Sequence, residues 1–254
     1  MMKKAFTVLA AAFCFFCAFA QSNPQLYNLS LDNWSKDKKT WNPYSAGKAF
    51  PGRTWDTANK ALSILGLNGV TPEEEHVAVK GEGKKAAKIE SRNCLWAFVS
   101  GALYAGNFRK IVRFAGAEMD WGVPFEGRPK SFSGYYHYIP GIVNFAKKPY
   151  TYLKAKSDIG HITVTLTDWP EQYVIDSTKG NWVDLENDPH IIAHGEILIR
   201  HSTSDYVRFR IPLEYRNERT PKWVVIVCTP SAYGDFFTGA DGSVLYVDEL
   251  RFNY

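Results

Sequence analysis

The chain has 254 residues, with 30 basic and 26 acidic side chains and a formal net charge of +4. Hydrophobic residues make up 45%, aromatics 15% and charged residues 22%, a mix that excludes collagen-like, coiled-coil and disordered classes. So small a charge on this length argues against nucleic acid or an anionic membrane surface as partner.

The chain opens on Met1-Met2-Lys3-Lys4, continues through an uncharged apolar run from Ala5 to Phe19, and reaches Ala18-Phe19-Ala20 before the polar Gln21-Ser22-Asn23-Pro24. A positive start, an apolar core too short to span a bilayer and a small-x-small end predict a secretory signal peptide over residues 1–20. Without its two lysines the mature chain carries 28 basic and 26 acidic side chains, a net charge of +2. Five Phe leave with the leader, and 33 aromatics, including all eight Trp, remain in residues 21–254. No later stretch is long and apolar enough for a transmembrane helix.

The mature part reads as one β domain. The only helical spacing is Ala58, Ala61, Leu62 and Leu65, within Thr57 to Leu65, and Thr71 to Glu75 predicts a turn or loop. Strands are predicted over Ala86–Glu90, Phe108–Phe114, Ser131–Ile139, Ile191–Ile199 and Val244–Phe252. Ile162, Val164 and Leu166 alternate with Thr163, Thr165 and Thr167, a period-two strand with one wet face. Val207, Phe209, Ile211 and Leu213 alternate in the same way. Trp223 to Cys228 is apolar on both parities, as a central strand covered on both sides would be. Turn residues fill the gaps, as in Glu126-Gly127-Arg128-Pro129, Lys179-Gly180-Asn181 and Asp241-Gly242. Closely spaced strands without intervening helices predict an all-β antiparallel sandwich of jelly-roll type with one or two short helices.

Cys94 and Cys228 stay in the mature chain. Export permits a disulfide between them, while the apolar surroundings of Cys228 suit a buried thiol equally well. His190 and His194 share a face, but no Glu follows His190 as a zinc protease would require, so both read as strand histidines. Paired Cys, a Gly-rich phosphate loop and a Gly-x-Ser-x-Gly elbow are all missing. Glycoside hydrolysis needs two carboxylates facing a sugar. Glu90, Glu118, Asp120, Glu196 and Asp235 lie on or beside strands and are its candidates. Asp248 and Glu249 sit between apolar strand residues. An embedded charge needs a partner, so Asp248 is a candidate ligand of a structural calcium ion or a salt-bridge partner of an arginine. No other cofactor is expected.

Aromatics with polar neighbours carry the strongest chemical signal, because sugars stack C–H faces on rings and offer hydroxyls to polar groups. Trp55, Asp56 and Asn59 form one such group. Trp121, Arg128 and Lys130 lie along a Gly/Pro-rich stretch, and Tyr136 belongs to the Tyr135-Tyr136-His137-Tyr138 strand. These seven are the candidate glycan-binding residues.

Three stretches carry a family resemblance. They are Pro51 to Asn59 (Pro-Gly-Arg-Thr-Trp-Asp-Thr-Ala-Asn), Arg128 to Tyr138 (Arg-Pro-Lys-Ser-Phe-Ser-Gly-Tyr-Tyr-His-Tyr), and the ending from Cys228 to Glu249, with Tyr233-Gly234-Asp235-Phe236-Phe237 and Leu245-Tyr246-Val247-Asp248-Glu249. From about Phe50 to the C-terminus the chain resembles the putative carbohydrate metabolism domain of gut Bacteroides-type bacteria. The resemblance implies a jelly roll similar to galactose-binding and carbohydrate-binding modules, on exported proteins of glycan-using bacteria. It brings no catalytic residues with it. The reading that follows is an exported, periplasmic or cell-surface protein that binds an oligosaccharide or polysaccharide, beside envelope glycan-uptake proteins. The alternatives are a carboxylate-pair glycoside hydrolase and a surface adhesion or assembly subunit.

Overall fold

The computed structural model describes residues 23–79, 83–94, 97–112 and 116–254; the expected leader lies outside them. In chain order, β1 (Ser35–Asp37) and β2 (Thr40–Asn42) make a hairpin. Next come β3 (Trp55–Thr57), α1 (Asn59–Leu62) with a 3-10 turn over Ser63–Leu65, β4 (Val70–Glu73) and β5 (Ala86–Glu90). A second hairpin, β6 (Arg92–Cys94) and β7 (Ala97–Val99), precedes β8 (Leu103–Val112), β9 (Gly116–Trp121), β10 (Val123–Pro124) and β11 (Ser131–Ile139). The rest are β12 (Gly160–Thr167), β13 (Tyr173–Asp176), β14 (Ile191–Ile199), β15 (Val207–Pro212), β16 (Glu214–Tyr215), β17 (Trp223–Thr229) and β18 (Val244–Asn253).

Two antiparallel sheets pack face to face. A five-stranded sheet runs β15-β11-β18-β5-β4. A nine-stranded sheet runs β13-β9-β8-β17-β12-β14-β16, with β10 beside β17 and β3 beside β8. From β11 onward the chain passes back and forth between them, as the jelly-roll reading requires. Alternation along each strand builds the core. Ile162, Val164 and Leu166 of β12 meet Ile226 and Cys228 of β17, and face Phe132, Leu245, Val247 and Phe252 of the other sheet. Burying one such side chain stabilises the fold by roughly 1.5–3 kcal/mol.

Two expectations change, and one open alternative closes. Thr71 to Glu73 is strand, not turn: β4 pairs with β5 at the sheet edge, where Pro72 costs no ladder bond. The threonine face of β12 is wet at one end only. Thr165 and Thr167 are buried; the segment after β12 folds back so that Trp169 and Thr165 line one small apolar cleft with Trp121 and Val225, and the Trp169 indole donates to Asp188 at 2.8 Å. Cys94 and Cys228 are both free and buried. Complete burial pushes the Cys228 thiol up to about 12.

Candidate functional site

The outer face of the nine-stranded sheet gathers the chemistry. Residues paired across antiparallel strands point the same way, so the register gives the face row by row. Asp56, Tyr104, Val227, Thr163 and Glu196 form one row across β3, β8, β17, β12 and β14. Val225, Thr165, His194 and Glu214 form the row on one side of it. Thr229, His161 and Leu198 form the row on the other.

At the centre, His161 Nε2 donates to Glu196 Oε2 at 2.8 Å. That bond holds the Glu196 carboxyl below the ordinary range against the opposing effect of burial. His194 lies 4.0 Å from the same oxygen, and its Nδ1 is 2.9 Å from Thr165 Oγ1. Burial lowers the pKa of His194, so its imidazole is neutral at neutral pH. Asp235 lies just beyond β17 in a short 3-10 turn, Gly234–Phe236. Surrounding protein atoms push its carboxyl up to about 6, with the field of His161 acting the other way. The side chain is exposed, so water moderates that shift.

Aromatics stand at both ends of this centre. At the Asp235 end, Tyr150 packs on Tyr233 with centroids 4.5 Å apart and on Phe236 at 5.0 Å, and Tyr152 lies 6.3 Å away. Tyr152 is 59% exposed and Phe236 41%, so both offer ring faces to solvent. At the other end Trp121 meets Trp182 at 6.4 Å and Trp169 meets Tyr173 at 4.9 Å. Beside β3, a polar network closes the flank. Arg53 donates to Asp56 at 2.8 Å and to Asn107 at 2.6 Å, and Asn107 donates to Asp120 at 2.9 Å.

The seven predicted binding residues scatter. Trp55 is wholly buried in the core, its indole donating to Asn28 O at 2.8 Å, and it offers no ring face to a ligand. Asn59 is buried, and its amide is spent on four backbone groups of Trp41, Gly69 and Val70. Asp56 reaches the outer face but is neutralised by Arg53, and Phe108 N–H donates to it at 2.9 Å. Trp121 is half-buried on the same face. Arg128 stacks on Tyr215 at 4.2 Å and donates to the carbonyl of Asn217. Lys130 is exposed at the start of β11, and Tyr136 of the other sheet is half-buried near Phe209 at 6.1 Å. Only Asp56 and Trp121 therefore share the candidate face.

Asp248 is fully buried. Its two oxygens accept from Ala78 N–H at 2.8 Å and Glu249 N–H at 2.9 Å, so backbone amides meet the need that suggested a cation. Among the described residues no group of three or more His, Cys, Asp or Glu is placed to hold a metal. Of the five candidate carboxylates, Glu90 is paired with Arg92 at 2.9 Å, Glu118 with Arg109 at 3.4 Å and Asp120 with Arg109 at 2.6 Å. Glu196 and Asp235 have no Arg or Lys ion pair among the described residues, and both lie in the field of His161. His190 and His194 part company, since His190 turns to Asp168 at 2.9 Å. Sequence reasoning missed His161, Tyr150, Tyr152, Tyr233 and Phe236. The alternation of β12 placed His161 with the threonines, and that parity was the available signal.

A family model described as putative carbohydrate metabolism domain matches residues 30–253. The fold is similar to two crystal structures at 19% identity. One is a putative glycoside hydrolase from Bacteroides thetaiotaomicron, with a TM-score of 0.68 over 89% of this chain and 70% of that one. The other is a putative glycoside hydrolase from Bacteroides vulgatus, with a TM-score of 0.63 over 92% of this chain and 99% of that one. At that identity the likeness shows the fold alone. No curated protein matches the chain.

Proposed function

The chain belongs to the putative carbohydrate metabolism domain family, and on that premise we propose that it is an exported glycan-binding protein taking part in bacterial carbohydrate use. Its ligand is an oligosaccharide or polysaccharide, held on the outer face of the nine-stranded sheet. The observation that carries this reading is the pair of exposed rings, Tyr152 and Phe236, beside a polar centre of His161, Glu196 and Asp235. Rings receive the C–H faces of a sugar, and the polar groups receive its hydroxyls. Trp121 and Trp182 at the far end lengthen the track beyond a single sugar. The leader over residues 1–20 directs the protein to the periplasm or cell surface, where envelope glycan-uptake proteins are its partners.

Calorimetry of the exported protein against plant, host and bacterial oligosaccharides tests this. At least one is expected to bind. Tyr152→Ala and Phe236→Ala each remove a stacking surface worth about 0.5–1.5 kcal/mol, roughly a two- to twelvefold weakening in Kd. Silence across all three classes, or unchanged affinity in both variants, would sink the reading.

A further inference from the structure

Resting on the carbohydrate reading, though on the opposite side of the molecule, we propose a second binding surface on the outer face of the five-stranded sheet. Its ligand is an acidic polysaccharide whose carboxylate or sulfate groups pair with Arg208, Arg210 and Arg251.

The first ground is register. Phe209, Ile211, Leu250 and Phe252 are buried in the core, so the alternate residues Arg208, Arg210 and Arg251 point outward, and all three are exposed. Arg210 pairs with Ser133 of β11, and Ser133 pairs with Arg251 of β18. These strands are consecutive in the sheet, which sets the backbones of Arg210 and Arg251 about 9.6 Å apart. Arg208 lies two residues along β15, about 7 Å from Arg210, and opposite the half-buried Tyr135.

The second ground is charge. Arg53, Arg92, Arg109, Arg128 and Arg219 each have a carboxylate oxygen within 3.4 Å. Among the described residues Arg208, Arg210 and Arg251 have no such partner. Arg200 and Arg216 lack one too, but Arg200 follows β14 in the other sheet, and Arg216 donates to the carbonyls of Leu185 and Glu186. Arg210 Nε donates to Ser131 Oγ at 2.9 Å, which holds that side chain on the face and leaves its two terminal nitrogens for an anion. The third ground is place in the sheet. Cationic side chains on an edge strand discourage pairing with another sheet, which would account for Arg208 and Arg210 on the outermost β15. It does not account for Arg251, because β18 lies between β11 and β5.

Guanidinium forks match carboxylates and tetrahedral oxyanions through paired hydrogen bonds. An acidic polysaccharide repeats such a group along an extended chain, as these arginines repeat along and across the strands, and Tyr135 adds a ring for a sugar to rest on. An anionic membrane fits less well, since the basic clusters that bind one have about four to eight Lys or Arg.

Calorimetry and affinity electrophoresis of the exported protein test this with polygalacturonate, its methyl-esterified form and chondroitin sulfate. At least one acidic polymer is expected to bind, more tightly than the esterified one, and less tightly as salt rises from about 0.05 to 0.5 M. Arg208→Gln, Arg210→Gln and Arg251→Gln should each weaken binding about two- to fivefold, and the triple variant about tenfold or more. Tyr152→Ala with Phe236→Ala should leave it unchanged. The three side chains are exposed, so the triple variant should melt with wild type; the single variants carry the same test if it does not fold. Silence of both acidic polymers, equal binding of the esterified polymer, or full affinity in the arginine variants overturns the proposal. So does arginine-dependent binding of phosphatidylglycerol–phosphatidylcholine vesicles without binding of either acidic polymer. Neutral oligosaccharides bound through Tyr152 and Phe236, with no acidic polymer bound, leave the first site standing. Arginine-dependent binding with a silent neutral panel leaves only this second surface.

Discussion

Single residues show how similar local sequence leads to opposite fates. Trp55 and Trp121 both have an Asp as immediate neighbour, yet Trp55 is sealed in the core and Trp121 lies on the outer face. The difference is strand parity and which neighbours cover the ring, and neither is encoded within a few residues. Asp248 makes a related point. Burial pushes its carboxyl up to about 6 from an ordinary value of 3.8. The native state therefore binds more protons than the unfolded chain between those values. Its contribution to stability is greatest in acid and falls as pH rises through that window. Asp248→Asn removes the titration. Thermal melts from pH 4 to pH 7 should show wild type losing stability relative to the variant as pH rises, and parallel curves would contradict this account.

At the scale of elements, alternation was the most dependable signal. Ser131–Ile139 and Ile191–Ile199 were legible to the residue, because runs rich in aromatic and β-branched residues bounded by turn residues read as strands. Trp223 to Cys228 lies, as its apolar parities required, in the middle of a sheet. Short strands were harder. β3, β9 and β13 have three, six and four residues, and their pairing comes from neighbours far along the chain. Gly195 shows how tightly the larger elements are fitted. A Cβ there would come within 2.3 Å of Pro212 O and 2.6 Å of the Ile211 side chain, so β14 can pass beneath β15 only without a side chain at that point. Gly195→Ala should cost about 1–3 kcal/mol of stability, seen as an earlier midpoint in urea with an unchanged slope.

At the scale of the whole molecule, the two sheets divide the labour. The five-stranded sheet closes the core, and the nine-stranded sheet carries the candidate site on its far side. Aromatics at both ends of that face turn a compositional excess into two separate clusters. The proposed export is tested at the same scale. Cleavage after Ala20 predicts a mature protein beginning at Gln21, which intact-mass measurement on protein recovered from the periplasm or medium checks directly; a mass that retains residues 1–20 would contradict it.

By itself, the sequence determined the all-β class, the long strands and the family, because hydrophobic period and turn residues are local and the family's motifs are contiguous. It also singled out Glu196 and Asp235, though only as two of five carboxylates. Tertiary structure alone decided which of the five pair with arginine and which with histidine. It alone brought His161 to Glu196 across 35 residues of chain. It likewise set the rings of Tyr150, Tyr152, Tyr233 and Phe236 beside Asp235. The physical reason is that ion pairing and solvent access depend on distances across strands, and those are set by register and layer rather than by neighbours in the chain.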